Sequence, residues 1–161
     1  AEKAQALIGQ LDHEFPHVNF AISQDLKADV EKADVIVCAT GSPTPLFDGN
    51  WLSPGCHVDC LGNHNTDRRE CDSITVSRAR VFVDSLENNL AEAGELLLPI
   101  AAGEFSKNDI VGELAALCRE EVTARQSANE ITLFKSVGTA ISDLVTANDV
   151  YQQVKGSYEI S

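Results

Sequence analysis

The chain has 161 residues, 43% hydrophobic and 23% charged, which suits one globular unit with a core of its own. Twelve Lys and Arg against 25 Asp and Glu give a net charge of −13, which argues against nucleic acid and anionic membrane as partners, because both need clustered positive charge. No apolar run approaches the roughly 20 residues of a membrane span, no basic stretch leads into an apolar one as in a secretory leader, and the five cysteines are an odd count. The expectation is a cytoplasmic, reducing setting with no disulfide framework, in which Cys38, Cys60 and Cys118 are buried as small hydrophobes.

In chain order, residues 1–12 place Ala4, Leu7, Ile8 and Leu11 on one helical face, and Pro16 ends that region. "VNFAIS" (18–23) is expected to be a strand, and 25–33 a short helix capped by Asp25. "DVIVCAT" (34–40) is a β-branched run polar on neither face, the mark of a strand buried on both sides of a parallel sheet. Turn chemistry fills 41–55. Further strands are expected in "HVDCLG" (57–62), "ARVFVDS" (79–85) and "ITLFKSVG" (131–138), with helices at 86–98, 107–121 and 139–155. The alternation gives an α/β fold with a doubly wound, mostly parallel sheet.

Ligands of such sheets bind beyond the carboxyl ends of the strands. Those ends are Thr40-Gly41-Ser42, Leu61-Gly62-Asn63-His64, Asp84-Ser85 and Ser136-Val137-Gly138.

"CHVDCLGNHNTDRREC" (56–71) is dense in Cys and His and invites a metal reading. Its spacings do not make two short ligand pairs, and strand alternation sends Cys56, Val58 and Cys60 to one face and His57, Asp59 and Leu61 to the other. No metal is assigned. His64 differs, because it lies in a loop at the expected ligand edge, where an imidazole suits acid–base work. On the bland readings, Gly62 and Gly138 only permit tight geometry, Arg69 and Glu70 form a surface ion pair, and Asp84 caps the following helix.

"DVIVCATGSPTPLF", "WLSPGCHVDCLGNHNTDRRECD", "ARVFVDSLENNLAEAGEL" and "ITLFKSVGTAISDLVTANDVY" together resemble the carboxyl-terminal two-thirds of the ornithine cyclodeaminase/mu-crystallin family. W-x-x-P-G-x-H-x-x-x-x-G and F-K-S-x-G-x-A-x-x-D carry most of that likeness. The resemblance implies a Rossmann-like domain that binds NAD or NADP, an amino-acid or cyclic-imine substrate, and a homodimer when the protein is full length. It places Thr40, Val58, Asp59, Cys60, Leu61, Arg68 and Ser136 along the cofactor, and Val137 against the substrate. His64 falls where the cyclodeaminases carry a catalytic aspartate. That departure, with Asp67, Arg69, Glu70 and Lys135, implies the reductase and dehydrogenase branch. The alternatives are a true ornithine cyclodeaminase that releases ammonia, and a non-catalytic, crystallin-like NAD(P)H-binding protein.

No G-x-G-x-x-G occurs in the chain. The resemblance puts that phosphate loop ahead of the helix that begins at Ala1. It therefore implies a partial dinucleotide-binding domain over 1–138, followed by a helix and tail over 139–161. Two family strands would then sit between "VNFAIS" and "DVIVCAT". The fragment alone is expected to be inactive and to bind dinucleotide weakly.

Overall fold

The computed structural model describes residues 2–155. Five strands form one sheet: β1 (Val35–Cys38), β2 (His57–Cys60), β3 (Arg80–Val83), β4 (Ile110–Glu113) and β5 (Thr132–Lys135). They lie in the order β1-β2-β5-β3-β4, and every pairing is parallel. Among the described residues seven α-helices accompany them: α1 (Glu2–Glu14), α2 (Leu26–Lys32), α3 (Ser73–Arg78), α4 (Leu86–Glu92), α5 (Gly94–Ala102), α6 (Leu114–Cys118) and α7 (Ala140–Val154). The fold is α/β and Rossmann-like, as the alternation implies.

Register builds the core in rows. Ile36, Val58, Leu133 and Val81 stand side by side on one face, and so do Cys38, Cys60, Lys135 and Val83. Val30 of α2, Val76 of α3 and Leu96 of α5 close over that face. Short side-chain caps start several helices. Asp25 accepts from Ala28 N–H, Asp72 from Thr75 N–H and Ser85 from Asn88 N–H. Ser85, rather than Asp84, caps α4.

The structure departs from the sequence reading in several places. Residues 18–23 are not a strand. They are largely exposed, and a strand exists only where a neighbour completes its ladder. β1 is not buried on both faces. It is the edge of the sheet, with Val35 and Val37 each 59% exposed. The helix expected over 86–98 is two helices broken at Ala93, where Gly94 N–H donates to Asn65 O at 3.1 Å. A Cβ on Gly94 would strike the carbonyls of Arg68 and Asn65, so only glycine fits where the loop after β2 packs against the start of α5. The helix expected over 107–121 is mostly absent. Lys107–Asp109 form a 3-10 turn, and β4 and α6 follow. Pairing with β3 outweighs the helical pattern in that segment. Helix α3 carried no long periodic signal and was not expected.

Among the described residues, no helix is long and apolar enough to cross a membrane. All five cysteines are free. Cys38, Cys56, Cys60 and Cys71 are buried, whereas Cys118 is exposed, contrary to expectation. The bond of Cys38 to Cys60, followed by burial, holds its thiol well above the usual range. The bond of Cys60 to Cys38 acts to lower its pKa, but the bond to Cys71 and burial outweigh it and hold the thiol well above the usual range. Such thiols are packing groups rather than nucleophiles.

Candidate cofactor-facing site at the strand ends

The carboxyl edge of the sheet brings the four strand-end segments together through buried polar side chains. Glu70 is fully buried and is not half of a surface ion pair. Its Oε1 accepts Thr40 N–H at 2.5 Å and its Oε2 accepts Gly62 N–H at 2.8 Å, tying the exits of β1 and β2 to one carboxylate. Arg69 donates instead to Ser73 Oγ at 2.9 Å. Glu70 N–H in turn donates to Glu95 Oε1 at 3.0 Å. Glu95 Oε2 lies 3.3 Å from Lys135 Nζ, both side chains being fully buried. Lys135 Nζ donates to Asn63 O at 2.5 Å, and Asn63 Nδ2 donates to Ser42 O at 2.7 Å. One chain of contacts thus runs from the end of β5 through α5 to both neighbouring loops.

Asp84 organises the remaining exit. Its Oδ2 accepts Ser136 Oγ–H at 2.6 Å, Gly138 N–H at 2.8 Å and Val137 N–H at 3.1 Å. Its Oδ1 accepts Ser85 N–H at 2.8 Å and Asn89 Nδ2 at 2.6 Å. Gly138 has φ +87, so the wrap around one carboxylate uses a conformation that favours glycine. Burial acts to raise the Asp84 pKa, but the bonds from Ser136, Ser85, Gly138 and Asn89 outweigh it and hold the carboxyl below its usual value. A depressed folded pKa means the clamp is fully present above the unfolded value near 3.8 and is lost as pH falls through the folded one. Asp84→Asn should therefore cost about 1–2 kcal/mol at neutral pH, the low end because the group is partly exposed. Its unfolding curve should converge on that of the native protein as pH drops below about 4. A constant gap across that range would refute the clamp.

The anticipated site residues divide into two groups. Thr40 and Leu61 are exposed at the edge, and Ser136 and Val137 are half-buried there. His64 and Arg68 are exposed on the loop that follows Gly62. Val58 and Cys60 turn into the core and are fully buried, so their side chains do not reach the edge. Asp59 faces the other side of the sheet, where its Oδ1 is 3.2 Å from His57 Nε2. His57 Nδ1 is 2.8 Å from Thr132 Oγ1, which also accepts from Arg125 Nη2 at 3.0 Å. In the tautomer that aims Nε2–H at the Asp59 carboxylate, Nδ1 accepts the Thr132 hydroxyl proton. A cavity of about 360 Å³ opens on this opposite face, lined by Phe82, Leu114, Leu117, Phe134 and these polar groups.

Sequence reasoning passed over Glu95 and undervalued Asn63, Glu70, Asp84 and Lys135. A charge inside an apolar run was the available signal, in "GELLLPI" and in "TLFKS".

The sequence profile of the ornithine cyclodeaminase/mu-crystallin family matches residues 1–158. The chain belongs to that family. It is 59% identical over 154 residues to the Δ1-pyrroline-2-carboxylate reductase of Colwellia psychrerythraea, covering 96% of this chain and 49% of that protein. It is 40% identical over 155 residues to the enzyme of the same name from Paracoccus denitrificans, covering 96% and 48%. Among solved family structures it superposes on the Thermococcus litoralis Δ1-pyrroline-2-carboxylate reductase in complex with NADH and L-proline. That match has a TM-score of 0.91 and 31% identity, and covers 97% of this chain and 48% of that one. The chain therefore spans about half the length of its family relatives, less than the two-thirds the motifs suggested.

Proposed function

We propose that the chain supplies the cofactor-facing part of an NAD(P)-dependent oxidoreductase that reduces a cyclic imino acid, of the Δ1-pyrroline-2-carboxylate reductase type. The observation that carries this reading is the joining of the Thr40, Gly62–His64 and Ser136–Gly138 segments at one sheet edge by Glu70, Lys135 and Asp84. The names of the relatives supply the substrate class. Residues 1–138 form the cofactor-binding part on this reading, and 139–161 a helix and tail, of which 156–161 lie outside the described residues.

The edge fits the nicotinamide end of a dinucleotide better than its diphosphate. It offers an exposed Leu61 as an apolar surface and a Thr40 hydroxyl beside it, while the strand-end amides of Thr40 and Gly62 already have acceptors. The cofactor, when bound, supplies the hydride. Thr40, Leu61 and Ser136 orient it, with Arg68 contacting it from the loop. Val58, Asp59 and Cys60 contribute as the strand beneath, and Val137 borders the substrate. His64, exposed on its loop, gives a proton to the imine nitrogen as the imine carbon takes up the hydride. Whole-protein activity is cytoplasmic and homodimeric on this reading. The exposed Ile141, Leu144, Val145 and Tyr151 of α7 support an assembly larger than the chain itself.

Incubating the whole protein with reduced dinucleotide and a cyclic imino acid tests the reading. Consumption of the reduced cofactor in step with product is expected. Ammonia release with no net change in cofactor would point to a cyclodeaminase instead, and binding without turnover to a crystallin-like protein. His64→Ala should lower kcat about 10²-fold or more while NADH affinity stays nearly constant, as for loss of a general acid. Unchanged turnover in that variant removes His64 from the mechanism.

A further inference from the structure

Thr40 and Gly62 each lie two residues beyond the last residue of their strand, β1 and β2. Backbone N–H groups at such exits are donors that can turn toward a ligand anion. Here both already face one protein carboxylate, that of Glu70. The nearby ammonium of Lys135 lies against Glu95, not Glu70. Glu70 thus presents a buried negative charge held by two amides from two loops. Gly62 is pressed so tightly into this arrangement that a Cβ there would strike Thr40 and Glu70 Oε1.

We infer that Glu70 is a positioning residue that also sets specificity. It is an internal anion that fixes the Thr40 and Gly62 loops against each other and reserves the sheet edge beyond β1 and β2 for the nicotinamide end of the dinucleotide rather than its diphosphate. A diphosphate brought to the same place meets two spent donors and a like charge, so it is held elsewhere. This role rests on the dinucleotide reading above, and it adds what makes the edge selective.

Glu70→Gln keeps the size of the side chain. However it turns, its NH₂ group faces one of the two N–H donors, so one bond is lost together with the charge. The test uses the whole protein, wild type and E70Q, with amide hydrogen exchange at Thr40 and Gly62, NADH affinity, steady-state kinetics, and titration with inorganic phosphate followed at those two amides. In E70Q one of the amides should exchange about tenfold faster, and the Kd for NADH should rise about tenfold, the scale of one charge-assisted bond. The fall in kcat at saturating NADH should be smaller than the rise in Kd. Inorganic phosphate should leave both resonances unmoved in the wild type and shift the freed one in E70Q. Glu70→Asp retains the charge but reaches only one loop, and should fall between the two. It serves in place of E70Q if that variant does not fold.

Unchanged exchange and Kd in E70Q would overturn the role, and so would a kcat loss larger than the Kd change or a phosphate response in the wild type. A wild-type protein that binds no NADH would overturn the dinucleotide reading instead. The exchange data would then still decide whether Glu70 holds the two loops.

Discussion

Replacing Lys135 with methionine should lower the unfolding free energy by about 3–5 kcal/mol, the usual cost of removing one partner from a buried ion pair. Lys135 is fully buried in β5 between Cys60 and Val83, and its ammonium is the positive charge beside Glu95. Methionine matches the stem but leaves Glu95 charged in the core and strips Asn63 O of its donor. Each kcal/mol should show as roughly 2–4 °C in Tm for a chain of this size. The double variant Lys135→Met with Glu95→Leu should recover part of the loss, because an apolar pair tolerates burial better than a lone charge. Urea titrations of the single and double variants decide the matter. A single variant within about 1 kcal/mol of the native protein would mean that water reaches the pair.

Gly62→Ala should be the more damaging of the two for its size. Overpacking a tight interior costs about 1–3 kcal/mol when side chains can give way. At Gly62 the added methyl meets the backbone oxygen and nitrogen of Thr40, which cannot move without dragging the end of β1. The expected result is destabilisation at the upper end of that range or beyond, with the Thr40 and Gly62 amides losing protection from exchange together. Gly41, one residue past Thr40, has nothing within 4 Å of an added Cβ, so Gly41→Ala serves as the control that should leave both readouts nearly unchanged.

The strands could be read where β-branched residues ran together, as in "DVIVC" and "ARVFV", because continuous apolar character survives without knowledge of neighbours. The segment 18–23 has a similar look and no ladder, since a strand is made by its partner and not by its own side chains. β4 failed in the other direction: "DIVGEL" resembles a helix start, yet β3 recruits it. The positions of Thr40, Gly62, Asp84 and Ser136 at one edge followed from chain order alone. What joins them did not. Glu70 and Asp84 look like solvated charges in a one-dimensional string, and Glu95 lies 25 positions from the backbone it holds. Long-range polar contacts leave no periodic trace, and an ionisable residue inside an apolar run is their one local sign.

The sheet order has a consequence for how the chain is made. Among the described residues β5 is the last strand in sequence, yet it sits between β2 and β3 and alone joins them. Synthesis completes β1 and β2 before β3 and β4, and these two pairs have no strand in common until residue 135 has been added. Each pair therefore waits with an open inner edge, β1–β2 from residue 60 and β3–β4 from residue 113, a state prone to pairing with the wrong partner. The final insertion closes both edges at once and brings Lys135 to Glu95 in the same event. Completion of the core and assembly of the strand-end site are thus one step, and it waits on β5.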